Sequence, residues 1–384
     1  MTAHLDASPV EVNRKFYLPC LDGIRAIAFL MVFVAHAGLG RLLPGGLGVT
    51  IFFFLSGYLI TTLLRLEAQD TGTISLRNFY IRRALRILPP MYITLGLAFV
   101  LGLCGAMKIV AQPRAYLAAI SCVTDYYSML PGAVRAEGSG MESLWSLCIE
   151  EHFYLLFPFL YLFFRRAHMS AKKQAGILLT ACLVALVWRM IVVFVFHSHT
   201  TGSGPKWSYT TTDCRFDSIV WGCILAIHNN PWFGDRKSNL LASYKGFLAL
   251  IGFAGILLSL LYRNPAYRET ARYTLQGLCL YPIFYYCVAT DRSWFVRILQ
   301  YKPLRWLGTL SYSLYLCHLY ILMEFWSRYW PHHLFVYGLL SFGLSLALAV
   351  MIRWTVELPL QRLRQSFRSD RRVASHRLDA LRQP

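Results

Sequence analysis

Leu21-Asp-Gly-Ile-Arg-Ala-Ile-Ala-Phe-Leu-Met-Val-Phe-Val-Ala-His36 is an apolar, helix-forming stretch with Arg25 near its start and His36 at its end. The spacing of these two residues returns both to nearly the same face of an α-helix, about 16 Å apart along the axis. Such a helix is typical of a membrane span, where an ionisable side chain is costly and marks a candidate functional residue. An arginine that reaches lipid headgroups and a hydrogen-bonded buried histidine are the simpler alternative.

The rest of the chain has the composition of a polytopic membrane protein. Of its 384 residues, 56% are hydrophobic and 15% are charged, and the mean hydropathy is +0.45. A chain of this kind is not an ordinary water-soluble domain. Its net charge of +19 would suggest nucleic acid in a soluble protein, but here Lys and Arg lie in short loops between apolar runs. We therefore expect a lipid bilayer around the chain and no nucleic-acid partner.

Apolar runs recur along the whole sequence and predict an all-α membrane protein. A window of about 19 residues gives predicted transmembrane helices at ten positions. They cover residues 20–38, 46–65, 87–107, 143–164, 175–197, 214–229, 244–262, 272–289, 304–327 and 333–356. The run from 115 to 130 is shorter and more polar, and we expect a re-entrant or interfacial helix there.

The distribution of basic residues predicts the orientation and the limits of the domain. Most Lys and Arg fall in alternate loops, so the positive-inside rule places both termini in the cytoplasm. We expect a cytoplasmic segment over residues 1–18, one transmembrane domain over 19–360 and a basic cytoplasmic tail over 361–384. No internal repeat of the kind found in many secondary transporters is evident.

The fourth predicted span is the most unusual, because Glu150, Glu151 and His152 are consecutive in an apolar helix. Buried carboxylates are costly unless they are paired or face water. Glu150 shares a helix face with Ser146 and Tyr154, four residues before and after it. The alternative to a reaction site is a structural ion pair with a transmembrane arginine.

Arginines cluster at the start of the third span, where Arg82, Arg83 and Arg86 are spaced so that two guanidinium groups share one helix face. Guanidinium binds phosphate in a bidentate way, so this cluster suits a polyanion. An ordinary positive-inside cluster that contacts lipid phosphates explains it equally well.

Polar residues in other spans are less specific. Ser56 and Gly57 allow a helix or a ligand to approach closely in the second span, and packing alone explains them too. Arg215 and Asp217 are two residues apart and cannot face the same way on a helix, so at least one requires a partner on another element.

The ninth span places Ser311, Tyr315 and His318 on one face, which fits a hydrogen-bond ladder as well as a substrate site. No Cys or His cluster in the sequence has metal-ligand spacing, and we expect no metal.

Seven motifs, in this order, resemble those of acyltransferase family 3, the bacterial integral-membrane acyltransferases that modify surface polysaccharides and other sugars. They are Arg25-x10-His36 within Leu21-Asp-Gly-Ile-Arg-Ala, Phe52-Phe-Phe-Leu-Ser-Gly-Tyr, Phe79-Tyr-Ile-Arg-Arg-Ala-Leu-Arg-Ile-Leu-Pro, Trp145-Ser-Leu-x-x-Glu-Glu-x-Phe-Tyr, Arg215-x-Asp217, Ser311-Tyr-Ser-Leu-Tyr-Leu-x-His and Glu357-Leu-Pro359.

The resemblance implies roles for individual residues. His36 would be the essential histidine and general base, and Glu150 with Tyr154 would help to form the reaction centre. The residues implied in binding the acyl-CoA donor are Arg25, Ser56, Arg82, Arg83 and Arg86. Candidate substrate-binding residues without individual roles are Trp145, Arg215, Asp217 and His318.

The expected function is an O-acyltransferase of the bacterial cytoplasmic (inner) membrane. It would move an acyl group, most often acetyl, from cytoplasmic acyl-CoA to a hydroxyl of a carbohydrate or glycolipid acceptor. Some family members carry a fused extracytoplasmic hydrolase-like domain, which we do not expect in a chain that ends at Pro384. The alternatives are a proton-coupled transporter with His36, Glu150 and His318 as the proton relay, or acylation of a small hydrophobic metabolite.

Overall fold

The computed structural model describes residues 16–40, 43–106, 112–130, 141–197, 207–234, 240–291, 293–329 and 334–367. Within these ranges every regular element is a helix and no strand occurs, so the predicted all-α class is confirmed. Most of the predicted segment 1–18 lies outside the described residues, and the predicted tail 361–384 is described only as far as residue 367.

Helices occupy all ten predicted apolar runs. They are α1 (Pro19–Val34), α2 (Gly45–Thr71), α3 (Leu76–Leu103), α4 (Trp145–Arg166), α5 (Ala171–Phe194), α6 (Asp217–His228), α7 (Lys245–Leu261), α8 (Ala271–Ala289), α9 (Lys302–Tyr329) and α10 (Leu334–Ile352). The shortest is α6, with 12 residues, and it follows directly on the short helix Thr212–Arg215.

Six helical segments of the described chain are long and apolar enough to cross a membrane. They are Pro19–Leu39, Gly45–Thr71, Leu76–Leu103, Trp145–Arg166, Ala171–Phe194 and Phe335–Ser366. Helix α7 is apolar but has only 17 residues. The chain is therefore a multi-pass membrane protein, and the expected count of about ten spans is supported for six segments and not for α6, α7, α8 and α9.

The predicted interfacial segment consists of two short helices, Pro113–Ile120 and Thr124–Tyr127. Pro113 begins the first, where a missing N–H costs nothing. Cys122 has a φ of 54° and turns the chain between the two. Neither helix is long enough to span a bilayer, which fits an interfacial or re-entrant position.

Small residues let the central helices approach closely. Helix α6 packs against α2, and 11 of its 12 residues are buried. A Cβ atom at Gly57 would lie 2.0 Å from the carbonyl oxygen of Ile219, and one at Gly222 would lie 1.9 Å from that of Phe54. Backbone contact of this kind is typical of membrane helix pairs. The sequence prediction of close approach at Gly57 is confirmed.

Large apolar side chains are exposed on the outer helices. Examples on α4, α5 and α7 are Leu156, Phe159, Phe163, Leu183, Val187, Leu250 and Leu257. Water-soluble proteins rarely expose so much contiguous apolar surface. These faces are therefore suited to contact with lipid.

The end of α1 departs from regular α-helix. Residues Ala35–Leu39 form a π-helical turn that contains His36 and ends beyond Gly38, whose φ is 96°. Glycine adopts this conformation without steric cost. Single π turns within longer helices often coincide with functional sites. Sequence periodicity did not predict this turn, which sets the direction of the His36 side chain.

Candidate active site

A cavity of about 260 Å³ collects most of the predicted donor-site residues. Helices α1, α2, α3, α4 and α9 form its walls. Its charged and hydroxyl-bearing lining residues are Tyr17, Asp22, Arg25, Ser56, Arg83, Arg86, Ser146, Glu150, Tyr154, Ser311, Tyr312 and Tyr315. So many ionisable side chains around one cavity in an apolar bundle make it the candidate active site.

Glu150 and Tyr154 form the acidic centre of this cavity. They are four residues apart on α4, and the Tyr154 hydroxyl donates a hydrogen bond of 2.7 Å to Oε2 of Glu150. The same hydroxyl lies 3.2 Å from Oγ of Ser56 on α2. A carboxyl, a phenol and an alcohol are thus joined in one network that can hold and transfer protons.

Arg25 reaches the cavity from α1 and is held by an acidic neighbour. Its Nη1 lies 3.1 Å from Oδ1 of Asp22, one helical turn earlier. Asp22 also accepts a 2.8 Å hydrogen bond from the Tyr17 hydroxyl. Arg25 also interacts electrostatically with Glu150, so the two predicted site residues share one cavity. The sequence analysis did not identify Asp22 as the residue that positions Arg25.

Arg83 and Arg86 are cations without an acidic partner. Both line the cavity, three residues apart on α3. Within the described part of the chain, neither forms an ion pair or a hydrogen bond. The Arg83 guanidinium lies 5.6 Å from the centre of the Tyr154 ring. Their donors therefore remain available to an anion that enters the cavity.

Arg82 is separated from this pair. Its Nη2 lies 2.7 Å from Oε2 of Glu67, and its Nη1 donates a 2.7 Å hydrogen bond to the carbonyl oxygen of Phe367. It does not line the cavity. Arg82 thus links the start of α3 to the end of α2, and the structure places it away from the predicted donor site.

His36 does not line the cavity. Its Nδ1 lies 3.0 Å from Nε2 of His318, and the two imidazole rings are inclined by 21° with their centroids 5.2 Å apart, so they meet edge to edge through these nitrogens. The His318 ring lies 5.5 Å from that of Tyr315, which lines the cavity with Phe52. The residues expected from sequence to form a single reaction centre therefore lie in two places, and Tyr315 contacts the His318 ring while lining the cavity. The reason is depth, because His36 lies three helical turns from Arg25.

Trp145 and Arg215 meet in an aromatic cluster outside the cavity lining. The Arg215 guanidinium lies 3.9 Å from the centre of the Tyr273 ring, 5.3 Å from that of Tyr209 and 5.9 Å from that of Trp145. Its side chain is fully buried, and its Nη2 donates a 3.1 Å hydrogen bond to Thr50 Oγ1. Aromatic faces stabilise a buried cation where no carboxylate is in contact with it.

Asp217 turns away from Arg215, which confirms the prediction that the two cannot share a face. Its two carboxylate oxygens each lie 2.8 Å from a guanidinium nitrogen of Arg189 on α5. Thr274 donates a further 2.8 Å hydrogen bond to Asp217. The sequence analysis missed Arg189, although an arginine within the apolar run Val187-Trp-Arg-Met was the signal that could have found it.

A second polar network lies at the end of the bundle that is predicted to face outward. Asp125, in a short helix, is fully buried and accepts a 2.8 Å hydrogen bond from Thr212 Oγ1. His152 Nδ1 lies 3.7 Å from the same carboxylate. Burial raises the pKa of Asp125 above its usual value, and the hydrogen bond from Thr212 only partly offsets this. Its Oδ1 has no partner among the described residues.

Asp213 is in the opposite situation. The indole N–H groups of Trp188 and Trp207 and the hydroxyl of Tyr126 all donate hydrogen bonds to its carboxylate. Burial favours the protonated form, but interaction with the Thr211 side chain and these hydrogen bonds outweigh it and lower the pKa of Asp213. The pKa values of these two neighbouring carboxyl groups are therefore shifted in opposite directions.

The cavity offers no evident metal centre. No group of three or more His, Cys, Asp or Glu side chains in the described part of the chain could hold a metal ion. All ten cysteines are free. We assign no metal-binding role to any described residue.

The chain is similar to known proteins over most of its length. Residues 18–354 match the model of a protein family whose description is "Acyltransferase domain". The peptidoglycan O-acetyltransferase OatA of Listeria monocytogenes is 30% identical over 317 residues, which are 80% of this chain and 49% of the relative. The O-acetyltransferase OatA of Staphylococcus aureus is 31% identical over 358 residues, which are 90% of this chain and 57% of the relative.

A putative peptidoglycan O-acetyltransferase of Bacillus subtilis, YrhL, is 28% identical over 383 residues, which are 94% of this chain and 57% of the relative. The chain thus spans about half the length of the relatives it matches. No solved structure matches the chain.

Proposed function

Because the chain belongs to acyltransferase family 3, we propose that it is a membrane O-acyltransferase that moves acetyl from acetyl-CoA to a hydroxyl of a carbohydrate acceptor. The relatives are named as O-acetyltransferases, and two of the names specify peptidoglycan. A glycan of the peptidoglycan type is therefore the first acceptor to test. We further propose that the protein lies in the cytoplasmic membrane and that both of its termini are in the cytoplasm.

One observation carries the proposal: Arg83 and Arg86 point unpaired guanidinium groups into the cavity that also holds Glu150 and Tyr154. Coenzyme A carries phosphate groups, which guanidinium binds strongly and often through two hydrogen bonds. Arg25, already paired with Asp22, adds a third positive charge to the same cavity. A phosphate-bearing donor would be held by these side chains with its thioester directed towards the Glu150 network.

The chemistry then requires a base for the acceptor. The acceptor oxygen attacks the thioester carbonyl, its proton passes to the base, the C–S bond breaks and the CoA thiolate takes up a proton. His36 is the proposed base, because a neutral imidazole accepts a proton near neutral pH. His36 does not line the cavity, whereas Tyr315, whose ring lies beside that of His318, does. The proposal therefore requires a rearrangement that opens the cavity to His36 when both substrates are bound.

The Glu150 network has a separate role at the donor. Tyr154 hydrogen-bonds this carboxyl and lies beside the Ser56 hydroxyl, so a proton can be held beside the thioester and supplied to the leaving thiolate. The positive charges of Arg25 and Arg86 act on the same carboxyl. The same guanidinium groups would stabilise the oxyanion that forms when the thioester carbonyl is attacked.

The test uses the full chain, purified into lipid nanodiscs and given acetyl-CoA labelled in the acetyl group together with soluble peptidoglycan fragments. We expect acceptor-dependent release of CoA and a base-labile acetyl ester on the glycan, detected by mass spectrometry. His36→Ala should remove both signals while the protein stays folded. Full activity of His36→Ala would overturn the assignment of the base.

A parallel measurement distinguishes the transporter alternative. The same protein in sealed vesicles would accumulate a solute without releasing CoA if it were a proton-coupled carrier. CoA release with a small hydrophobic alcohol but not with glycan fragments would replace the proposed acceptor and keep the enzyme class.

A further inference from the structure

We propose that His318 is a positioning residue that fixes the tautomer of His36, so that His36 presents an unprotonated Nε2 to the acceptor hydroxyl. The inference rests on the proposed function, because it assigns a role at the same base. It changes the role expected from sequence, in which His318 was a candidate substrate-binding residue. Three groups are joined in sequence by hydrogen bonds: the Tyr315 carbonyl oxygen, His318 and His36.

The backbone carbonyl of Tyr315 determines which nitrogen of His318 carries the proton. Its Nδ1 lies 2.8 Å from the backbone carbonyl oxygen of Tyr315, one turn earlier on α9. A carbonyl oxygen can only accept a hydrogen bond, so Nδ1 of His318 must carry a proton. In a neutral imidazole the other nitrogen, Nε2, is then a pure acceptor.

The surroundings of His318 favour this neutral form. The side chain is fully buried, and its ring lies against those of Phe29, Phe33 and Tyr315 at centroid distances of 5.7, 6.3 and 5.5 Å. Within the described part of the chain, no carboxylate forms an ion pair with it. A buried imidazolium without an acidic partner would be costly. His318 is therefore neutral, and since its proton is on Nδ1, its Nε2 carries none.

The hydrogen bond between the two histidines then determines which nitrogen of His36 carries the proton. Nδ1 of His36 lies 3.0 Å from Nε2 of His318. Since Nε2 of His318 is an acceptor, Nδ1 of His36 must be the donor. A neutral His36 then carries its single proton on Nδ1, and its Nε2 has a free lone pair. That nitrogen is the one that can accept a proton from an acceptor hydroxyl.

Exposure separates the roles of the two histidines. His318 is fully buried and cannot reach a substrate, whereas His36 is only partly buried and lies in the π turn at the end of α1. When Nε2 of His36 takes the acceptor proton, the imidazolium keeps its Nδ1–H bond to His318. The lone pair of His318 then stabilises the positive charge. Carboxylates hold catalytic histidines in the same way in hydrolase triads.

The experiment compares two substitutions at one position. His318→Gln keeps an oxygen that can accept from Nδ1 of His36, and His318→Phe keeps a ring of similar size without an acceptor. We expect His318→Phe to lower kcat on the order of 100-fold, as loss of an orienting partner does in other sites, with KM for acetyl-CoA unchanged. His318→Gln should keep most of the activity. Cys317→Ala, at the buried neighbouring position, is the matched control.

Direct observation of the tautomer completes the test. Histidine-selective ¹⁵N labelling in nanodiscs distinguishes protonated from bare ring nitrogens, and the His36 signals are those lost in His36→Ala. We expect a protonated Nδ1 and a bare Nε2 at neutral pH in the unmodified protein, and a mixture in His318→Phe. A protonated Nε2 on His36 in the unmodified protein, or full activity of His318→Phe, would overturn the inference. If His36→Ala is itself fully active, it is the proposed base that fails.

Discussion

Arg189 and Asp217 form a fully buried ion pair between α5 and α6, with both guanidinium-to-carboxylate distances at 2.8 Å. Both side chains have 0% exposure. Because α6 also packs against α2, the pair fixes the position of the helix that supports the Ser56 side of the cavity. The pair therefore supports the candidate active site without lining its cavity.

Removing one partner of this pair should destabilise the protein strongly. Asp217→Leu leaves the Arg189 charge buried without its carboxylate, which costs about 3–5 kcal/mol in other proteins. We expect a clear fall in the thermal unfolding midpoint in detergent. The double variant Arg189→Leu with Asp217→Leu should recover part of the loss, since no lone charge remains. Equal loss in the single and double variants would contradict a coupled pair.

The arginine cluster of α3 should divide into two functions. Arg83→Ala and Arg86→Ala each remove a cation that lines the cavity, and we expect KM for acetyl-CoA to rise roughly 10- to 100-fold. Arg82→Ala is the matched control, because this residue pairs with Glu67 outside the cavity. It should lower thermal stability and leave KM nearly unchanged. Initial-rate kinetics over a range of acetyl-CoA concentrations measure both effects. The same rise in KM for all three variants would contradict the division.

Close packing of α2 on α6 should not tolerate a methyl group at Gly57. A Cβ there would lie 2.0 Å from a backbone carbonyl oxygen, so the two helices would have to move apart. We expect Gly57→Ala to lower stability by about 1–3 kcal/mol. Gly176→Ala on α5 is the control, because no atom lies within 4 Å of its added Cβ. Thermal unfolding measures the stability of both variants. Equal stability of the two would contradict the close packing of α2 on α6 at Gly57.

Asp125 should make stability fall as the pH rises. Burial raises its pKa in the folded state, so the folded protein binds this proton more tightly than the unfolded chain does. This contribution to stability is complete below the ordinary aspartate value of about 4 and is lost as the pH increases through the raised folded value. We expect Asp125→Asn to raise the unfolding midpoint at neutral pH and to have little effect near pH 4. Thermal unfolding of both proteins across this pH range tests the direction of the change in midpoint.

Asp213 should show the reverse dependence. Its pKa is lowered, so its contribution to stability is present above about pH 4 and is lost as the pH falls through the lowered folded value. Asp213→Asn should therefore lower the midpoint at neutral pH. Two aspartates at the same end of the bundle then act as controls for each other. If the two variants shift the midpoint in the same direction at neutral pH, the assigned directions of the two pKa shifts are wrong.

Relations within a single helix were predictable from the sequence alone. Hydropathy located the apolar helices in their order, and the helical repeat placed Tyr154 one turn from Glu150 and put His318 on the Tyr315 face of α9. The divergence of Arg215 and Asp217 followed from the same geometry. Each of these statements depends only on residues a few positions apart, and the backbone of an α-helix fixes such positions.

Relations between helices were decided only by the tertiary structure. It determined that Arg82 pairs with Glu67 while Arg83 and Arg86 line the cavity, and that Arg189 is the partner of Asp217. It also placed His36 against His318 and not beside Glu150. These outcomes depend on how far each helix is rotated about its axis and shifted along it. Packing against neighbouring helices sets both quantities, and the residue pattern of one helix contains neither.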